Sequence, residues 1–134
     1  MPKLTSAQAR ELSRSFRGMA QAIGDYIFDN WNNLTGSQRT KLTNFEDSLR
    51  SSGADMLALS TTLILEEVES SLTIISEITT EIKEDYKKLA RFQDAIKLAA
   101  NMVTLGAAVI SKSPESIGKA FNDLRKSWDK VKDA

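Results

Sequence analysis

The residues of this sequence with the clearest chemical potential are carboxylates that recur at helical spacings between positions 66 and 85. Glu66 and Glu69, and then Glu77, Glu81 and Glu84, include pairs three or four residues apart, a spacing that places side chains on one face of a helix. Such carboxylates can bind a hard cation, but a row of this kind is more often a solvated helix face. Because nothing else in the sequence fixes a coordination geometry, we predict no metal site.

The sequence lacks the side chains that most other kinds of catalysis use. The 134 residues include no histidine and no cysteine, so a histidine general base, a catalytic triad, a thiolate metal site and a Glu-x-x-His di-iron site are excluded. A serine nucleophile would need a lysine or a carboxylate as its base. Around Gly106 the sequence lacks the second glycine and the lysine of a phosphate-binding loop. We therefore predict that the protein is not an enzyme and has no catalytic or cofactor-binding residues and no cofactor.

Three arginines form a second charged feature. Arg10, Arg14 and Arg17 follow one another at steps of four and three, so they share one helix face. This stripe could dock an acidic partner or an anionic lipid. The blander interpretation, which we favour, is a solvated face or pairing with the acidic residues of 66–85, at about 0–1 kcal/mol for each exposed pair. The 18 basic and 18 acidic residues give a formal net charge of zero, which argues against a nucleic-acid partner.

The elements that must position these residues are helices. The run from Ala54 to Ser113 has no proline and one glycine. Apolar residues recur through it at steps of three and four, with a mean repeat of about 3.5 residues, which is typical of a helix and of coiled coils. The residues of this stripe are Leu57, Ile64, Val68, Leu72, Ile75, Ile78, Ile82, Tyr86, Leu89, Phe92, Ile96, Val103, Ala107 and Ile110.

The sequence therefore predicts an all-α fold, a single domain over 1–134 in the form of a helical bundle. We expect four main helices, at about 6–32, 36–52, 54–111 and 114–132. The third would be about 85 Å long if unbroken. It is either one long, kinked helix, which we slightly favour, or a run that folds back near 76–85 to give a five-helix bundle.

Capping residues mark several of the expected helix ends. Gly53 predicts the end of the second helix as a left-handed C′ residue, and Asp55 could cap the next helix. A kinked helix that continues through Met56 is the alternative. Helix starts are indicated by two capping boxes and by a serine followed by proline: Thr5 with Gln8, Thr35 with Gln38, and Ser113 with Pro114.

The long apolar stripe also predicts how the protein acts. A stripe that outlasts the helices available to cover it must be buried elsewhere, so we expect protein–protein contact, including self-association as a homodimer. The alternative is a compact monomer in which the stripe is fully buried inside the chain. The predicted interface uses the stripe where the final helix leaves it uncovered, with two arginines as a secondary patch: Ile75, Ile78, Ile82, Leu89, Arg14 and Arg17.

A membrane-active protein is the alternative function. The segment 95–117 is rich in small residues on either side of one turn. It resembles the small-residue helical hairpins of α-helical pore-forming toxins and of other bacterial helical bundles, which implies membrane insertion through this segment. Its apolar stretch, 95–110, contains Lys97 and Asn101 and is shorter than the roughly twenty residues that span a bilayer. The polar N-terminal segment has no apolar core of a signal peptide, so we expect a cytoplasmic location.

Overall fold

The computed structural model describes residues 3–59, 63, 65, 67–89 and 91–132, with residue 87 described by its backbone alone. The regular structure of these residues is helical apart from one bridge at Lys3, which confirms the all-α prediction. There are five α-helices rather than four: α1 (Ser6–Asp29), α2 (Gly36–Ala58), α3 (Val68–Asp85), α4 (Phe92–Ser111) and α5 (Pro114–Lys132). Short 3₁₀ helices follow α1 (Trp31–Asn33) and α3 (Tyr86–Lys88).

The predicted helix starts are confirmed. At the start of α1 the Gln8 backbone N–H donates to Thr5 Oγ1 (3.2 Å) and the Thr5 N–H donates to Gln8 Oε1 (2.9 Å). Thr35 and Gln38 repeat this capping box at the start of α2. These reciprocal bonds satisfy backbone donors that a helix start leaves unpaired. Pro114 opens α5.

The five helices enclose one hydrophobic core. Helix α1 packs against α2 and α3, and α4 packs against α2 and α5. Helix α5 touches α3 far less than it touches α4, so the packing between α3 and α5 is loose. The largest side chains that are fully buried are Trp128, Tyr86, Phe16, Leu12, Met19, Ile23, Leu42, Leu49, Met56, Leu63, Leu65 and Ile82.

The predicted helix end at Gly53 is wrong, and so is the predicted cap at Asp55. Helix α2 continues to Ala58, as the alternative through Met56 expected. Gly53 is buried where α2 crosses α1, and a Cβ on it would lie 3.2 Å from the Ser13 carbonyl oxygen and from Arg17 Cγ. The glycine therefore serves close helix packing, while the left-handed residue of the described chain is Lys112 (φ 63°), at the end of α4.

The predicted long helix over 54–111 is also wrong. It is divided into the last residues of α2, then α3, then α4. The described residues do form five helices, but α2 ends at Ala58 and α3 runs from Val68 to Asp85 before α4 begins at Phe92, so the expected break region 76–85 is helical. Between α2 and α3, Leu63 and Leu65 are both buried, and residues two apart cannot share one face of a helix. The stripe residue Ile64 and the carboxylate Glu66 lie outside the described residues.

A buried tyrosine holds the turn between α3 and α4. The Tyr86 hydroxyl donates to the Ala95 carbonyl oxygen in the first turns of α4, at 2.5 Å. Its ring meets that of Tyr26 edge-to-face, with centroids 5.4 Å apart. No glycine, proline or asparagine occurs in 76–91, so no local residue predicts a turn there. The contacts of Tyr86 with Ala95 and Tyr26 stabilise the turn instead.

Candidate interaction surfaces

The predicted apolar interface residues lie mostly inside the single chain. Ile75, Ile78 and Ile82 are 2%, 8% and 0% exposed, and Leu89 is half-buried against the core. Ile82 is therefore a core residue that no partner reaches in this conformation. Ile75 and Ile78 differ, because each forms part of the floor of an open groove beside α3.

That groove lies between α3 and α5, where the two helices diverge. Its apolar part, here called the α3–α5 groove, encloses about 120 Å³. It is lined by Ser71, Ile74, Ile75, Pro114, Ile117, Gly118 and Phe121. Ile117 is nearly buried, whereas Ile74 and Phe121 are half-buried and remain within reach of solvent. The stripe residues of α3 are thus buried within the chain, and the residue of α3 that the final helix leaves within reach of solvent is their neighbour Ile74.

Gly118 leaves open space on the α5 side of this groove. A Cβ on Gly118 would meet no atom within 4 Å, although the residue lies in the interior of a helix. Gly118 and Phe121 are three residues apart, so they are neighbours on the same face of α5. An open space and an aromatic ring therefore lie side by side along one groove.

Beyond its apolar part the groove becomes polar and then closes. Charged residues of both signs line it, including Glu77 and Arg125. At its end the Trp128 indole N–H donates to Glu81 Oε2 (3.3 Å), and Lys132 Nζ lies 3.8 Å from Glu81 Oε1. This exposed ion pair contributes little, but the buried indole joins α5 to α3 at this end and leaves them separate at the other.

The arginines of α1 do not pair with the acidic residues of α3. Arg14 and Arg17 are exposed, and within the described chain neither forms an ion pair. Arg17 turns its aliphatic stem toward Gly53 of α2. Arg14 lines a second groove, between α1 and α3. Of the two alternatives, the exposed arginines agree with the solvated face, and the pairing is not seen among the described residues. The two arginines lie in different surroundings.

One end of the bundle carries exposed aromatic residues. Phe28 is 81% exposed and Trp31 is 53% exposed. The Arg39 guanidinium lies 4.3 Å from the centre of the Trp31 ring and donates to the Trp31 and Leu34 carbonyl oxygens. These contacts fix the corner between α1 and α2, and isolated exposed apolar residues are common on protein surfaces.

Helix α4 is the single described helix that is long and apolar enough to cross a membrane. The expectation that its apolar stretch is too short is wrong by this criterion, because α4 has 20 residues. A core helix of a water-soluble bundle meets the same criterion, and α4 contributes eight buried residues to the core.

Two features of the described ionisable groups bear on catalysis and metal binding: how they cluster and how burial shifts their pKa values. No three of the described acidic residues come together in a way that could hold a metal ion. Burial raises the pKa of Tyr86 and of Tyr26, with smaller contributions from Tyr26 and Asp94 respectively. These two hydroxyls lie within the packing between α1, α3 and α4 rather than in a groove, so they act in stability.

Sequence reasoning missed the α5 side of the α3–α5 groove. Ile117, Gly118 and Phe121 form this side, and none of them was among the predicted interface residues. A glycine inside an otherwise strong helical pattern was one available signal. Ile74 was another, because it lies beside Ile75 but outside the stripe, at the edge of the buried face of the helix.

Comparison with known proteins gives no relative from which a role could be carried over. A scan against protein-family models finds no matching family, and searches of curated proteins and of solved structures find no match either.

Proposed function

We propose that this protein is a non-enzymatic helical bundle that acts through protein–protein contact, beginning with contact between two copies of itself across the α3–α5 groove. The observation that carries this proposal is the α3–α5 groove itself, where the half-buried Ile74 and Phe121 flank the open space over Gly118. An apolar groove of this kind is a frequent site of association.

The groove has the features of a self-complementary surface. In a two-fold dimer the same patch faces itself, so a residue that contacts a second residue is contacted by it in return. Phe121 of one copy can fill the space over Gly118 of the other, and the reverse contact follows by symmetry. A volume of about 120 Å³ equals the share of about four water molecules in the liquid, which suits one inserted side chain.

The charges around the groove support the same arrangement. Glu77 on α3 and Arg125 on α5 carry opposite signs on its two sides. When such a surface meets a copy of itself, opposite charges can pair across the interface. These rim pairs would add specificity and register more than affinity.

Composition supports the non-enzymatic part of the proposal. The chain contains neither histidine nor cysteine, which removes the commonest general base and the strongest nucleophile at neutral pH.

Thiol cross-linking tests the proposed dimer directly. The chain has no cysteine, so Gly118→Cys introduces a unique thiol at the centre of the proposed interface. With a short bismaleimide, which joins thiols that lie near each other without direct contact, we expect a covalent dimer at high micromolar protein. Ser37→Cys, at an exposed position of α2, is the matched control and should stay monomeric. Equal and slow cross-linking of both variants would contradict the proposal.

Membrane activity is the second candidate function, because α4 meets the length and hydropathy of a spanning helix. Insertion would require α4 and α5 to leave the bundle as a hairpin around Lys112. Vesicle flotation and dye leakage test it, with phosphatidylcholine vesicles and with vesicles containing phosphatidylserine. Absence of both flotation and leakage at neutral and acidic pH would remove this candidate.

A further inference from the structure

The groove between α1 and α3, across α3 from the proposed dimer interface, carries net positive charge. It measures about 600 Å³ and is lined by Arg10, Arg14 and Lys83, with Glu11 as the one carboxylate among its lining residues. The rest of the lining is small or hydroxylated: Ala7, Ser15, Gly18, Ser76, Thr79 and Thr80.

These cations have no anionic partner within the described chain. None of the ion pairs formed by described residues involves Arg10, Arg14 or Lys83. Helix α3 separates its charges by side, because Glu77 and Glu81 line the groove toward α5 while Lys83 lines the groove toward α1. The acidic residues of α3 therefore leave the positive charge of this groove unneutralised.

The three cations follow one another along the groove. Arg10, Arg14 and Gly18 are spaced four residues apart, so they lie on one face of α1. The stem of Lys83 crosses α1 at Gly18, with its Cδ 3.8 Å from where a Cβ on that glycine would lie. Positive charge thus occurs near three successive turns, over about 12 Å of helix.

Three of the hydroxyl groups that line the groove already donate hydrogen bonds, so the cations are the groups left to bind a ligand. Ser15 Oγ donates to the Glu11 carbonyl oxygen, and Thr79 Oγ1 and Thr80 Oγ1 both donate to the Ser76 carbonyl oxygen. Their protons are therefore engaged within their own helices. Because these side chains are short, they leave the groove wide, and their hydroxyl groups make its floor polar.

We propose that this α1–α3 groove binds an acidic helix of a partner protein. Carboxylates spaced four residues apart on a helix repeat at about the distance that separates Arg10 from Arg14. Two turns of a helix about 10 Å across, half embedded, occupy on the order of 500 Å³, close to the volume of the groove. A single phosphate is shorter than this row of cations, which extends over about 12 Å, so it would engage part of the row.

Peptide binding tests this proposal with a defined ligand. The probe is a fluorescein-labelled, alanine-based helical peptide with three glutamates spaced four residues apart, and binding is followed by fluorescence anisotropy. The same peptide with lysine in place of glutamate is the ligand control. We expect saturable binding of the acidic peptide that weakens about tenfold between low salt and ~0.15 M salt, because the contacts are exposed charges.

Charge-reversal variants locate the site. Arg14→Glu and Lys83→Glu should each weaken binding about tenfold. Lys41→Glu, an exposed position of α2 outside the groove, makes the same change in net charge and should alter binding less than twofold. The three residues are exposed, so circular dichroism should report an unchanged fold.

The outcomes distinguish this proposal from its alternatives and from the dimer. Equal weakening by Arg14→Glu and Lys41→Glu would overturn it, because binding would then follow net charge and not the groove. Arg14-dependent binding of phosphatidylserine vesicles, or of inorganic pyrophosphate, without binding of the acidic peptide would overturn it in favour of a phosphate ligand. Gly118→Phe, which should prevent the dimer, should leave peptide binding unchanged, so the two proposals fail separately.

Discussion

The Tyr86 hydroxyl donates a hydrogen bond to the Ala95 carbonyl oxygen at 2.5 Å, and this bond spans the turn that brings α4 back onto the bundle. Tyr86 lies at the end of α3 and is fully buried. The contact therefore connects a helix end to the next helix at the place where the predicted long helix is interrupted.

Loss of this hydrogen bond should lower stability without changing the fold. Tyr86→Phe keeps the ring and its edge-to-face contact with Tyr26 and removes the hydroxyl. We expect the free energy of unfolding to fall by about 1 kcal/mol, measured by urea titration followed by circular dichroism. An unchanged midpoint would mean that the hydroxyl does not stabilise the turn.

The same residue should make stability fall at alkaline pH. Burial raises the pKa of Tyr86 above its ordinary value of 10, so above pH 10 the unfolded chain loses this proton and the folded chain keeps it. The contribution of Tyr86 is fully present below pH 10 and is lost as pH rises toward the folded-state pKa, at about 1.4 kcal/mol per pH unit.

Comparison of wild type with Tyr86→Phe separates the titration of Tyr86 from that of the lysines, which both proteins share. The free energy of unfolding of wild type should fall more steeply between pH 9.5 and about 11 than that of Tyr86→Phe. Parallel curves for the two proteins would show that Tyr86 titrates alike in both states. Burial also raises the pKa of Tyr26. Because Tyr26 is present in both proteins, its own contribution cancels in the comparison.

Three glycines inside helices should respond in opposite directions to the same substitution. A Cβ on Gly106 would lie 3.0 Å from Ser52 Oγ, and one on Gly53 would lie 3.2 Å from the Ser13 carbonyl oxygen, whereas one on Gly118 meets nothing. Gly118→Ala should therefore raise the free energy of unfolding by about 0.5–1 kcal/mol through helix propensity. Gly106→Ala and Gly53→Ala should lower it by about 1–2 kcal/mol, because crowding outweighs that gain.

Thermal unfolding of the three variants gives the ordering. If all three alanine variants were more stable than wild type, the close approach of α1, α2 and α4 described here would be wrong.

A pair of buried serines provides a further contrast. Ser13 Oγ is buried without a hydrogen-bond partner among the described residues, whereas Ser127 Oγ accepts from Asn101 Nδ2 at 2.6 Å. Ser13→Ala should raise the free energy of unfolding by about 1 kcal/mol, because an unpaired buried hydroxyl is costly. Ser127→Ala should lower it by a similar amount, because it leaves the Asn101 amide unpaired. Chemical denaturation of both variants tests the contrast, and a loss of stability in Ser13→Ala would reveal a partner for that hydroxyl.

Local signals in the sequence predicted the helix starts and the helical class. Thr5 and Thr35 each act through a residue three positions away, so short-range chemistry is sufficient there. The turn at 86–91 depends on Tyr86 reaching Ala95 and on packing against Tyr26, and no window of adjacent residues contains that information. Gly53 misled for a related reason, because glycine serves both left-handed helix ends and close helix contacts, and the partner helix decides which.

The candidate interface was predictable in part. The α3 stripe followed from the spacing of apolar residues, and Ile75 and Ile78 lie on the floor of grooves beside α5. Its expected incomplete cover depended on one long helix over 54–111, which the chain does not form. The burial of Ile82 could not be predicted, because it depends on how α3 is turned toward α1. The opposite sides that Lys83 and Glu81 face also follow from this rotation.

Sedimentation equilibrium on wild type and Gly118→Phe tests the central claim most directly. The phenylalanine would fill the open space over position 118 in each copy, so it should block the insertion of Phe121 from the other copy. The account predicts a wild-type dimer at high micromolar concentration and a monomeric Gly118→Phe variant with unchanged helicity, while Gly118→Ala stays dimeric. A wild-type monomer at that concentration, or a dimer that persists in Gly118→Phe, would contradict it.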